Sequence, residues 1–227
     1  MPSYSNAISH SIFKTISLAA DALGLETYVI GGFVRDHMLD RGDAKDIDIV
    51  AIGSGIELAR KVAQLLPSKP QVQVFKTYGT AMLKTGDIEV EFVGARKESY
   101  TQDSRNPVVE NGNLTDDQNR RDFTIIAMAI CLNDDVYGEL IDPFNGVSDL
   151  ERGIIRTPQD PDITYSDDPL RMMRAIRVAT QLDFVIERES LEAMSRNAKR
   201  IEIITKERIV VELNKILLSP LPSKGFL

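Results

Sequence analysis

Apolar positions near the start of the chain recur with a helical period. Ile8, Ile12, Ile16, Ala19 and Leu23 fall on one face and Gly24 follows as a stop, which predicts an opening amphipathic helix. The period then shortens. TYVI predicts a strand, Gly31 and Gly32 open a short helix over 34–39, and a polar turn over 40–45 leads into the alternating strand DIDIVAI. Ser54 caps a further helix that ends near Leu66, where Pro67 and Pro70 break the chain. VQVF, GTAMLK and the apolar–acidic alternation over 88–93 predict three more strands.

Beyond these strands the pattern weakens. Residues 98–118 are polar, contain Pro107 and Gly112 and show little periodicity, which predicts a long mobile loop. The continuous apolar run over 123–132 predicts a buried helix, 136–141 a strand, and 142–149 a turn entering a short helix. PQDPDITYSDDP is expected to be a linker, followed by helices over 168–180, 190–197 and 205–218. In the last of these Ile209, Leu213, Ile216 and Leu217 form one stripe. The elements divide the chain into an α/β head over residues 1–156 and an all-helical second part over 157–227.

Composition adds few constraints. The chain has 227 residues, 43% apolar and 27% charged, which suits an ordinary globular protein. Its single cysteine, Cys131, allows no intrachain disulfide and argues against a zinc site. The N-terminus lacks the pattern of a signal peptide and no apolar run approaches ~18 residues, so a cytoplasmic protein without a membrane span is expected. A net charge of −7 does not by itself suggest a polyanionic partner. The charge is uneven, however. Residues 171–215 hold ten Lys/Arg against seven Asp/Glu, which leaves the remainder strongly acidic and suits it to holding cations.

Candidate chemistry begins with Asp46 and Asp48. Two apart on a strand, they project from the same face while Ile47 and Ile49 face the other way. Paired anions of this kind suit Mg²⁺ shared with substrate phosphates, although a solvated strand face has the same pattern. The glycine pair in GGFVRD lets backbone approach a phosphate. Glu89 and Glu91 share a face of the later strand, and Glu91 is a candidate third metal ligand. RRDFT, over 120–124, supplies two guanidiniums for phosphate and a carboxylate for ribose hydroxyls, or else simply caps a helix. Asp168 and Arg171, three apart, share a helix face, and Asp168 before Pro169 is also a natural cap.

In their order along the chain, GGFVRDHML, DIDIV, EFVGARKESY, RRDFTI, DPFNGVSDL and DDPLRMMRAIR resemble the class II CCA-adding enzymes and the similar bacterial poly(A) polymerases. The resemblance implies an α+β fold: a polymerase-β-type nucleotidyltransferase head, built as a mixed sheet with flanking helices, followed by an all-helical neck. It implies two Mg²⁺ ions at Asp46 and Asp48, with Gly31, Gly32 and Arg35 in the segment that holds the triphosphate. Arg121 and Asp122 would contact nucleotide and ribose, and Asp168 and Arg171 would read the incoming base, with Arg174 one turn further along the same nucleotide-binding helix. A carboxylate beside a guanidinium can accept from the exocyclic amine of cytosine or adenine and donate to the adjacent ring nitrogen, which uracil and guanine cannot match. The implied reaction adds CMP and AMP from CTP and ATP to the 3′ end of tRNA and releases pyrophosphate.

The chain departs from the family pattern at Ile126, where an asparagine is usual. It also ends after LLSPLPSKGFL without the family's tRNA-binding body and tail, so a truncated neck is expected. The long loop before Arg120 is expected to move as base choice switches from C to A. Its presence favours full CCA or A addition, since relatives that add only CC look as though they lack it. Three other readings remain: a poly(A) or A-adding polymerase, an inactive RNA- or nucleotide-binding module, and a small-molecule nucleotidyltransferase, which would need neither RRDFT nor DDPLR. His10 and His37 are expected at the surface, and oligomeric state has no sequence signal.

Overall fold

The opening stripe forms helix α1 (Ser11–Leu23), which buries Ile12, Phe13, Ile16, Ala19 and Ala20. His10 caps it by accepting from the Ile12 amide at 3.2 Å, and Gly24 closes it in the left-handed region at φ 63°. This computed structural model describes residues 4–42, 45–101 and 104–226. They fall into two compact units. The first runs up to Lys97 and includes Glu110–Asp117 and Met128–Pro143; the second comprises Glu98–Val109, Gln118–Ala127 and Phe144 onward.

The first unit is built on a seven-stranded mixed sheet. In chain order its strands are β1 (Thr27–Ile30), β2 (Asp46–Ala51), β3 (Gln73–Phe75), β4 (Thr80–Thr85), β5 (Ile88–Gly94), β8 (Ala129–Cys131) and β9 (Leu140–Ile141). They lie in the order β3-β4-β5-β2-β1-β8-β9. Only β2 and β5 run parallel; the other pairs are antiparallel. Alternation along β2 buries Ile47 and Ile49 toward one face. Helix α2 (Gly32–Met38) lies between β1 and β2 in sequence and touches both. Helix α3 (Gly55–Leu65), capped by Ser54 through the Glu57 amide at 3.2 Å, packs on β4 and β5, and α1 packs against α3. A Cβ at Gly55 would lie 2.7 Å from the Val93 backbone, so glycine is required where α3 starts against the sheet.

Several expectations are corrected here. The segment expected to be a mobile loop over 98–118 is a two-stranded sheet, β6 (Arg96–Thr101) and β7 (Ser104–Asn111), and helix α4 (Leu114–Asn119) follows it; residues 102 and 103 lie outside the described residues. The run over 123–132 is not a helix but a 3-10 turn (Thr124–Ile126) followed by strand β8. A strand over 136–141 is reduced to the two residues of β9, preceded by a 3-10 turn at Asp134–Val136.

In the second unit, helix α5 (Gly146–Glu151) precedes a short parallel pair formed by β10 (Ile154–Ile155) and β11 (Val185–Ile186). The expected linker contains helix α6 (Pro161–Asp167), with Asp160 accepting from the Asp162 amide at 2.8 Å and Pro161 in its first turn. Helices α7 (Leu170–Leu182), α8 (Arg188–Asn197) and α9 (Lys206–Leu217) complete the unit, α6 packing on α8 and α7 on α9. Apart from the two-residue β11, the region after 157 is helical, as expected. Among the described residues no helix is long and apolar enough to cross a membrane. His10 is exposed as expected, whereas His37 is half-buried.

Candidate active site

The parallel pairing of β2 with β5 decides how the carboxylates of the first unit meet. Asp46 lies opposite Glu89 and Asp48 opposite Glu91, so both acidic pairs occupy the same face of the sheet. Two positions further along β2 that face turns apolar: Val50 clusters with Ile30, Ala95 and Ala129. The acidic positions therefore form a ledge at the edge of a small core. Glu91 is accessible, yet its carboxyl is held above the ordinary carboxylate value, first by partial desolvation and next by the negative charge of Asp48; a hydrogen bond from Thr80 and the charge of Arg96 act the other way. Among the described residues no three Asp, Glu, His or Cys side chains converge into a ready metal cage. Two carboxylates on a ledge nonetheless fit Mg²⁺, which completes its shell with water and phosphate oxygens rather than with an all-protein cage.

The glycine pair stands where β1 ends and α2 begins. Gly31 has φ 88° and ψ −141°, a conformation that side chains with a Cβ avoid, and it is the N-cap of α2. Arg35 makes a two-pronged pair with Asp36, at 2.8 Å for both Nε and Nη2, and a Cβ at Gly32 would lie 3.6 Å from Arg35 Nη2. The pair with Asp36 thus holds the Arg35 fork against Gly32.

In the second unit Asp122 and Arg171 are buried and paired. Asp122, 5% exposed, meets Arg171 Nε at 3.1 Å and Arg174 Nη2 at 2.8 Å. Arg171 also donates from Nη2 to the Arg120 carbonyl at 2.8 Å, so two contacts fix the plane of its guanidinium. Arg174 keeps a partly exposed fork, and Arg120 Nη1 lies 3.5 Å from Glu98. Asp168 is buried just before α7, and its Oδ1 accepts from the Leu170 amide at 3.2 Å, so it does cap the helix start. Tyr165, fully buried, has its hydroxyl pKa pushed up to about 12, first by burial, then by the charges of Asp122 and Glu187 against the relief given by Ser190 and Arg171.

The sequence-derived candidates thus sort by unit. Gly31, Gly32, Arg35, Asp46, Asp48 and Glu91 belong to the first, and Arg121, Asp122, Asp168, Arg171 and Arg174 to the second. The structure brings Asp122, Arg171 and Arg174 into direct contact. Arg121 is half-buried at the turn before Asp122, and Ile126, at the family's asparagine position, is half-buried at the end of the 3-10 turn. Sequence reasoning missed Glu98, Tyr165 and the Arg120 carbonyl; Glu98 fell within the expected loop and Tyr165 within the expected linker.

A family model described as the poly A polymerase head domain matches residues 27–156, and a second, described as the probable RNA and SrmB-binding site of polymerase A, matches residues 183–227. The chain is 39% identical over 204 residues to a CCA-adding enzyme of Anoxybacillus flavithermus, covering 89% of this chain and 49% of that protein. It is 38% identical over 195 residues to an A-adding tRNA nucleotidyltransferase of Aquifex aeolicus, covering 85% of this chain and 23% of that one. Among solved structures, the Thermotoga maritima CCA-adding enzyme complexed with tRNA superposes with a TM-score of 0.84 at 31% identity, covering 99% of this chain and 52% of that chain. The chain therefore spans about half the length of these CCA-adding relatives and about a quarter of the A-adding one.

Proposed function

The chain belongs to the poly A polymerase head domain family, and from that premise we propose that it is the catalytic portion of a cytoplasmic, template-independent RNA nucleotidyltransferase. Its reaction adds CMP and AMP from CTP and ATP to the 3′ end of tRNA and releases pyrophosphate. The observation that carries this reading is the acidic ledge, where Asp46 and Asp48 share one face in register with Glu89 and Glu91.

Two Mg²⁺ ions held by Asp46 and Asp48, with Glu91 as a third ligand, would lower the pKa of the attacking 3′ hydroxyl and offset charge on the leaving pyrophosphate. The remaining roles belong to the chain itself. Gly31 and Gly32 allow close backbone approach to the triphosphate, and Arg35, its Nε and Nη2 held by Asp36, offers its remaining N–H groups to a phosphate oxygen. Arg121 and Asp122 serve the nucleotide and its ribose, and Arg174 offers its exposed fork to the same nucleotide. Asp168 and Arg171 read the base, and the fixed plane of the Arg171 guanidinium supports that role, because selecting cytosine and adenine requires donors held in one direction. The head covers residues 1–156 and the neck 157–227.

A-addition alone is a second reading, favoured by one observation: the A-adding relative is as similar to this chain, at 38%, as the CCA-adding one at 39%. Incubating the full-length protein with Mg²⁺, tRNA lacking its CCA end and each labelled NTP separates the two. Ordered incorporation of C, C and A is expected, and ATP alone on tRNA ending in CC would select the second reading. Failure to incorporate any nucleotide would overturn both.

A further inference from the structure

Beneath the turn that carries Arg121 and Asp122 lies a buried polar chain to which neither reading assigns a role. Thr124, 1% exposed, donates from Oγ1 to Asp149 Oδ2 at 2.8 Å, and Asp149 is itself 3% exposed. Arg156 Nε lies 3.5 Å from the same Asp149 oxygen and 3.1 Å from Glu187, while the Arg156 carbonyl accepts from the Thr124 amide at 2.9 Å. Thr124 is therefore gripped through both backbone and side chain.

Phe123 is extended, at φ −140° and ψ 149°, so the side chains of Asp122 and Thr124 project to the same side of the chain while Phe123 is buried in the core. A displacement of Thr124 is consequently carried to Asp122, and from Asp122 to the Arg171 guanidinium it aligns. Burying a carboxylate to hold one hydroxyl is a costly way to gain stability, since an apolar pair of the same volume is often as stable or more so. What the carboxylate adds is direction.

We propose that Asp149 is a positioning residue for nucleotide selection: with Arg156 it fixes Thr124, and through Thr124 it sets the orientation of Asp122 and Arg171. The proposal rests on the nucleotidyltransferase reading above. It is tested in the full-length protein with Thr124→Val, which keeps the shape and removes the hydroxyl, Thr124→Ser, which keeps the hydroxyl, Asp149→Asn, and the Thr124→Val/Asp149→Asn pair. The exposed Glu192→Gln serves as control. Values of kcat and KM for CTP and ATP, and misincorporation of UTP, are measured well below each variant's Tm.

The expected result is a rise in KM on the order of tenfold, with more UTP incorporated, in Thr124→Val and Asp149→Asn, recovery in Thr124→Ser, and a double variant no worse than the singles. A lowered Tm with unchanged KM and UTP incorporation, strictly additive effects, or failure of the serine to restore selection would overturn it. A wild type that incorporates no nucleotide would instead defeat the nucleotidyltransferase reading, and the proposal with it.

Discussion

In the first unit Asp46, Asp48, Glu89 and Glu91 stand in two parallel rows, like charge beside like charge, on one face of two interior strands of the sheet. In the second, Asp122 is buried between the guanidiniums of Arg171 and Arg174. Like charges placed as on the acidic ledge would be relieved by cations, and removing them is expected to cost little stability. The buried cluster is complete without a ligand and is damaged by the loss of any member. Activity and stability should therefore respond in opposite senses to substitution in the two places.

The largest effect is expected from the pair Asp46→Ala and Asp48→Ala, which should reduce nucleotide incorporation by about a thousandfold or more while leaving thermal stability unchanged or slightly raised. Incorporation assays and a melting curve on the same sample check this, and a large drop in Tm would contradict the ledge description. Asp122→Asn should do the reverse for stability. Leaving two guanidiniums poorly compensated, one of them buried, is expected to cost about 3 kcal/mol in urea unfolding.

The contrast also explains how much could be read from sequence. Alternation in DIDIVAI is a local signal, and it located the carboxylates, their common face and the strand that bears them. The Asp122–Arg171 contact joins residues far apart in sequence and depends on how the turn at 120–124 meets α7. No local period encodes that, and spacing alone reaches only as far as placing Asp168 and Arg171 on one helix face. The apolar run over 123–132 is uniformly buried, and a run without polar positions has no period with which to distinguish a turn and strand from a helix. The hairpin of β6 and β7 was missed for the opposite reason, since RKESYT and SRNPVVEN are too polar to show alternation. In PQDPDITYSDDP the prolines outweighed a sound helix start, Asp160 before Pro161.

Smaller effects sharpen the comparison further. Gly31→Ala forces a Cβ into φ 88°, ψ −141° and should cost about 1–3 kcal/mol in unfolding experiments, together with weaker binding of nucleotide triphosphate. Glu91 provides the most sensitive test. Its folded pKa is raised, so the folded protein binds this proton more tightly than the unfolded chain does, and stability falls as pH rises from the ordinary glutamate value through the raised one. Glu91→Gln should therefore be slightly more stable than wild type at neutral pH, by less than about 1 kcal/mol after solvent screening, and the difference should vanish on acidification below that window. Mg²⁺ should shrink the same difference by relieving the repulsion from Asp48, as melting curves at several pH values with and without the ion will show.

The most direct test measures incorporation of CTP, ATP, GTP and UTP in parallel by the full-length wild type, Asp48→Ala and Arg171→Lys. The account predicts that Asp48→Ala loses all four alike, whereas Arg171→Lys, deprived of the planar fork held by Asp122 and the Arg120 carbonyl, retains incorporation but discriminates poorly between CTP and UTP. Uniform loss in both variants, or preserved selection in Arg171→Lys, would contradict it.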